Sequence, residues 1–98
     1  MVIRTLDHVR HCYTYDDGLV IAGLLRSALC DRETAFLSFA GVDDVPSSFV
    51  NGAFVSLLDE FSARDIKTYI RIVDSTRQIN SMVRARVEAG EPDLAMVA

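Results

Sequence analysis

The paired serines of "FAGVDDVPSSF" (Phe39 to Phe49) are the residues whose type and spacing most directly suggest chemistry. Ser47 and Ser48 follow the acids Asp43 and Asp44 and a Val45-Pro46 turn, and they precede an apolar pattern of helical period. A serine at such a place accepts hydrogen bonds from the free N–H groups of a helix start, a cap worth ~1 kcal/mol. The same N–H groups and the helix dipole would also favour an anion, although Asp43 and Asp44 oppose one. A nucleophilic serine needs more: a base within hydrogen-bond reach and an oxyanion site. His8 and His11 are the only histidines, and the chain has neither a G-x-S-x-G turn nor a glycine-rich phosphate loop. Adjacent acids in a turn, such as Asp43-Asp44, are usually solvated rather than catalytic. No catalytic residue is assigned, and an enzyme is not expected.

His8, His11 and Cys12 could begin a metal site, but zinc sites close around four ligands and no second ligand pair follows. Neither a metal nor a cofactor is expected. Cys12 and Cys30 do not make a disulfide framework in a chain whose start, MVIRTLDHVR, lacks an apolar signal core. No apolar run approaches the ~20 residues that span a bilayer, so a cytoplasmic protein without membrane contact is expected. The net charge is −4 and the basic residues are scattered except for Arg84 and Arg86, which argues against a nucleic-acid face. With 98 residues, 50% hydrophobic and 24% charged, the chain suits one folded domain over 1–98. Residues 91–98, ending in the apolar "DLAMVA", read as a tail that either folds back, docks on a partner or frays.

The elements that must position the serines follow from periodicity. "MVIRT" predicts a first strand, and Leu6 to Tyr15 has no clean period. Asp16 or Asp17 supplies an N-cap for a helix whose Val20, Ile21, Leu24, Leu25 and Ala28 share one side. Ala35 to Phe39 is nearly all apolar, as in a strand covered on both faces, and Gly41, Asp43 and Asp44 end it. Phe49, Ala53, Phe54, Leu57, Leu58 and Phe61 form a stripe along one second helix. Ser62 to Lys67 reads as a polar return, and Tyr69 to Val73 as a third strand. Asp74 or Ser75 then caps a last helix with Ile79, Met82, Val83 and Val87 inward, and Gly90 and Pro92 stop it.

This alternation is the α/β pattern, a small mostly parallel sheet packed by about three helices. Right-handed crossovers bring the helix starts to one edge, so Ser47 and Ser48 are expected near Asp74, Ser75 and Thr76. Val50 and Asn51, with the loop Asp43, Asp44 and Val45, are the candidates for contact with another protein.

At "LSFAGVDDVPSSFVNGAFVSLL" the chain resembles the second strand and following helix of STAS domains, the fold of anti-sigma factor antagonists. Gly41 matches the loop glycine, Val45 the apolar residue, and Ser47 and Ser48 the serine pair. The resemblance is closer to a STAS-like bacterial family of unknown function, through Asp17-Gly18 before the first helix and Ser47-Ser48-Phe49 opening the next. These anchors cover Asp17 to about Val73. The resemblance implies a STAS-like fold and a regulatory protein-interaction module with a kinase-like or anti-sigma-like partner. It also implies that Ser47, with Ser48 second, is the phosphoacceptor. Pro46, Phe49 and Ser38 stand where the regulatory pattern has Asp, Gly and a strand Asp. Two other readings stay open: a constitutive protein-binding factor of a mobile element or defence system, and an anion- or nucleotide-binding domain using the helix starts at Ser47 and Ser75.

Overall fold

Short segments of strand-forming residues at Val2–Arg4 (β1), Ala35–Ser38 (β2) and Ile70–Val73 (β3) pair into a sheet of order β1-β2-β3, every pair parallel. The computed structural model describes residues 1–90. Pro92 and the "DLAMVA" segment fall outside the described residues. The register aligns Val2 with Phe36 and Arg71, Ile3 with Leu37 and Ile72, and Arg4 with Ser38 and Val73. Between the strands lie α1 (Tyr15–Cys30), α2 (Ser47–Ala53) and α3 (Ala63–Tyr69), and α4 (Arg77–Ala89) follows β3. Short 3-10 turns occupy Thr5–Asp7 and Val55–Asp59. The expected α/β class is present, with all strands parallel and four α-helices among the described residues.

Sequential strand order has a physical consequence. Right-handed crossovers taken always in one direction put the connecting helices on one face of the sheet. The burial pattern agrees: Ile3, Ala35, Leu37, Phe39 and Ile70 are buried on one face, while Val2 (69% exposed) and Phe36 (41% exposed) stand on the other. β2 is therefore not covered on both faces, contrary to the expectation from its apolar run. Beneath the covered face, Phe39 of β2 meets Phe49 of α2 edge to face, with ring centroids 6.3 Å apart. Such pairs gain from quadrupole geometry as well as from burial.

Several boundaries differ from the sequence reading. Thr14, rather than Asp16 or Asp17, is the N-cap of α1. Its hydroxyl accepts from the Asp17 N–H (3.0 Å), and the Asp17 carboxylate accepts from the Thr14 N–H (3.3 Å), a reciprocal capping box. The buried side of α1 is Gly18, Ile21, Ala22, Leu25, Ala28 and Leu29, and Val20 is exposed. The cause is the contact at Gly18, since Val20 lies roughly 200° around the helix from it.

The apolar stripe from Phe49 to Phe61 is not one helix. α2 ends at Ala53, Phe54 leaves helical geometry, and the Val55–Asp59 turn completes the segment. The Ser56 hydroxyl donates to the Gly52 carbonyl (2.6 Å), a local bond that competes with the helix ladder. Phe49, Ala53, Phe54 and Leu57 are still buried, while Leu58 and Phe61 are half-buried. Ser62 to Lys67 is likewise not a polar return. Ser62 caps α3 by accepting from the Asp65 N–H (3.1 Å), and Ala63 and Ile66 are buried. Thr76, not Asp74 or Ser75, caps α4, and Ile79, Val83 and Val87 face inward as expected.

α1 and α2 meet backbone to backbone. A Cβ on Gly18 would stand 2.3 Å from the Phe49 carbonyl oxygen, and one on Gly52 would stand 2.2 Å from that of Tyr15. Neither obstacle is a flexible side chain, so the helices themselves would have to part. Gly23, on the exposed side of α1, has nothing within 4 Å of its Cβ position. Gly18→Ala and Gly52→Ala should each cost about 3 kcal/mol or more, the upper range for overpacking. Gly23→Ala should add about 0.5–1 kcal/mol by removing a helix-interior glycine. Urea unfolding of the three variants gives the signs directly.

Candidate functional site

Because the strands are parallel, their C-terminal ends share one edge, and the loop from Ala40 to Pro46 lies there. Ser38, the last residue of β2, is buried, and its hydroxyl donates to the Asp74 carboxylate (2.8 Å) and accepts from the Ala40 N–H (3.2 Å). Asp74 has φ of 52°, a left-handed conformation that Asp tolerates better than most residues and that the Ser38 bond helps hold. Gly41 also turns left-handed, with φ of 86°. The start of α4 closes on this loop. The Thr76 hydroxyl donates to the Asp43 carbonyl (3.0 Å) and accepts from the Ile79 N–H (3.2 Å). The Gln78 side-chain amide accepts from the Val45 N–H (3.0 Å) and donates to the Val45 carbonyl (2.9 Å). That two-point clamp imitates a strand pairing and fixes the loop ahead of α2.

The paired serines are not equivalent. Pro46 is the N-cap residue of α2 and supplies no side-chain cap, so Ser47 and Ser48 are the first two helical positions. The expected cap by Ser47 is absent because a serine one place inside the helix cannot bend back to the N–H groups ahead of it. Ser47 is exposed and its hydroxyl makes no hydrogen bond among the described residues. Ser48 instead donates to the Tyr13 carbonyl (2.7 Å), tying α2 to the segment before α1.

The remaining candidates divide. Asp43 and Asp44 are exposed, as a contact role requires. Val45 (2% exposed) and Val50 (0% exposed) are core residues, so neither is a free contact. Val50 joins Phe49 under α2, since the close approach of α1 buries more of this short helix than one stripe. Asn51 is half-buried, and its side-chain oxygen accepts from Arg86 Nε (3.1 Å), joining α2 to α4. Thr76 meets the Asp43 carbonyl, while neither Ser47 nor Ser48 hydrogen-bonds to Asp74, Ser75 or Thr76 among the described residues. Ser75 turns to Asn80, its hydroxyl donating to Oδ1 (3.0 Å), so the start of α4 is occupied by its own chain. That arrangement does not favour an anion cradle between the two helix starts. Gln78 carries no sequence signal for its clamp, whereas Thr14-x-x-Asp17 is a readable capping pattern.

A shallow cleft of about 170 Å³ runs along the same edge, lined by Arg10, His11, Cys12, Tyr13, Gly41 and Asp43 among others. His11 stacks on Tyr13 with ring centroids 5.3 Å apart. Cys12 is 2% exposed and burial pushes its thiol up. The Thr5 hydroxyl beside it offsets part of that rise without making a hydrogen bond of regular geometry, and the charge of Asp17 adds to it. A protonated, buried thiol is a poor nucleophile and a poor metal ligand. Cys30 is free and exposed. No group of three His, Cys, Asp or Glu side chains is placed to hold a metal ion among the described residues. Among them, too, no helix is long and apolar enough to cross a membrane.

Comparison with known proteins gives one match. The family model of a STAS-like domain of unknown function aligns with residues 20–80, well over half of the chain. That span carries β2, the clamped loop, α2 and β3. No curated protein and no solved structure matches significantly.

Two outcomes test this geometry. Gln78→Ala leaves the Val45 peptide without partners, so it should cost about 1–3 kcal/mol and speed hydrogen exchange at the Val45 amide. The Thr14 N–H, with the Thr14 hydroxyl, the Tyr13 N–H and the charge of His11, lowers the Asp17 carboxyl against an opposing desolvation. A native value below the unfolded one stabilises the fold above the unfolded value near 3.8 and is lost as pH falls through the native value. Asp17→Asn should therefore lower the urea midpoint at pH 7 and converge with the parent chain as pH drops below that range.

Proposed function

The chain belongs to the STAS-like domain family, and from that membership we propose that it is a non-enzymatic regulatory module that binds another protein through the sheet edge at Ser47. The observation that carries this reading is the inequality of the serines. Ser48 is held by the Tyr13 carbonyl, while Ser47 is exposed with a free hydroxyl at the first turn of α2. A kinase can reach Ser47 without breaking a bond of the fold. Phosphorylation there adds nearly two negative charges beside exposed Asp43 and Asp44. The edge then changes from a mixed polar surface to a strongly acidic one, and a partner docked on it meets repulsion or attraction it did not meet before. The partner is a kinase-like or anti-sigma-like regulator, the class that the resemblance to regulatory STAS domains implies.

Support for a binding rather than a catalytic role comes from the same edge. No base lies against Ser47, and the hydroxyls of Ser38, Ser48 and Thr76 are committed to the fold. A constitutive binding surface on the same edge is the second reading, favoured by the Gln78 clamp, which preorganises the loop. The two readings separate in one experiment. The tagged chain is expressed in its native cell and the co-purifying protein is quantified for three forms. On the switch reading, Ser47→Asp weakens the complex and Ser47→Ala leaves it bound. Equal recovery by all three forms contradicts the switch and leaves the constitutive surface, which substitution of Asp43 and Asp44 by Ala should then disrupt.

A further inference from the structure

A second surface lies at the β3 edge of the sheet and includes neither Ser47 nor the Asp43–Pro46 loop. A cleft of about 360 Å³ opens between β3, α3 and α4, its floor made of Phe54, Ile66, Ile70, Ile72, Val83 and Val87. Lys67, Arg84 and Glu88 also line it. Among the described residues β3 is the edge strand of the sheet, and no described strand pairs with its outer side. The Phe39 N–H donates to the Val73 carbonyl (3.1 Å), so Val73 turns its backbone toward β2. Alternation along a strand then turns Ile70 and Ile72 outward. The Ile70 N–H is taken by the Ile66 carbonyl at the end of α3. The Ile70 carbonyl and both backbone groups of Ile72 point to the free edge, and no described residue pairs with them.

We propose that this edge takes an extended peptide of a partner protein as a fourth strand, and that the peptide alternates apolar and acidic residues. The chemistry of each position follows from the faces of β3. Side chains of an added strand on the covered face enter the cleft beside Ile70 and Ile72, where the lining is apolar. Those on the opposite face stand beside Arg71, which is exposed and makes no ion pair among the described residues. At the rim, Lys67 already shares Glu88 (3.9 Å), and Arg84 makes no ion pair among the described residues. The alternate side chains meet Arg71, which selects carboxylates at those positions, and Arg84 adds positive charge at the rim of the cleft. Main-chain hydrogen bonds provide affinity in such strand addition, and the alternate side chains provide specificity.

The probe is a blocked heptapeptide alternating valine with glutamate, compared with the same peptide carrying lysine in place of glutamate. The glutamate peptide should bind and slow hydrogen exchange at the Ile72 amide, and the lysine peptide should do neither at the same concentrations. Arg71→Glu, an exposed change confirmed as folded by circular dichroism, should weaken the glutamate peptide roughly threefold to tenfold and admit the lysine peptide. Three results would overturn the proposal. One is no binding of the glutamate peptide up to about 1 mM. Another is equal binding of the two peptides. The third is an Ile72 amide already protected in the free chain, because the edge would then be filled by residues 91–98 or by a second copy. Ser47 and its edge are untouched by all three, so the regulatory reading stands or falls separately.

Discussion

The contact on which the rest of the structure depends is the approach of Gly18 to Gly52. Two helices that meet through side chains pack about 8–10 Å apart, and glycine at the crossing lets them come closer. At this crossing the Phe49 and Tyr15 carbonyls lie where any Cβ would have to sit. The closeness fixes the angle of a helix only seven residues long, which could not hold its place by its own ladder. It brings the first turn of α2 beside the segment before α1, where the Ser48 hydroxyl finds the Tyr13 carbonyl. It also turns Phe49 and Val50 into the core, where Phe49 meets Phe39 of the central strand.

From that crossing the candidate edge is assembled by a few polar bonds of long sequence separation. Ser38 reaches Asp74, Thr76 reaches Asp43, Gln78 holds Val45, and Arg86 holds Asn51. Each joins the second βα unit to the third. The loop at the edge is therefore held at the Asp43 carbonyl and at both backbone groups of Val45. Asp43, Asp44, Pro46, Ser47 and Ser48 are exposed there, and of the two serine hydroxyls that of Ser47 has no partner among the described residues.

The sequence made the order of strands and three of the four helices legible, because three apolar runs alternated with three helical stripes; α3 was hidden in a polar stretch. The α4 stripe of Ile79, Val83 and Val87 was read correctly, with Met82 only half-buried. The serines expected beside Asp74, Ser75 and Thr76 make no hydrogen bond to them among the described residues: Thr76 bonds the Asp43 carbonyl and Ser48 the Tyr13 carbonyl. What periodicity could not show was where a stripe bends. Phe49 to Phe61 kept the spacing of one helix, but the Gly52–Gly18 contact and the Ser56 hydroxyl broke it after Ala53. The same contact buried Val50 and rotated α1 so that Val20 faced out. The apolar run of β2 suggested cover on both faces, and only the sequential strand order left Phe36 exposed. The serines were found by their spacing, yet their division of labour depended on one residue of helix phase, which Pro46 decided.

On the switch reading proposed above, another protein phosphorylates this domain at Ser47. Peptide mapping by mass spectrometry of the chain isolated from its native cells, across growth conditions, tests that most directly. Phosphate on Ser47 and none on Ser48, whose hydroxyl is committed to the Tyr13 carbonyl, is the predicted result. A chain unmodified under every condition, or modified at Ser48 alone, would contradict it.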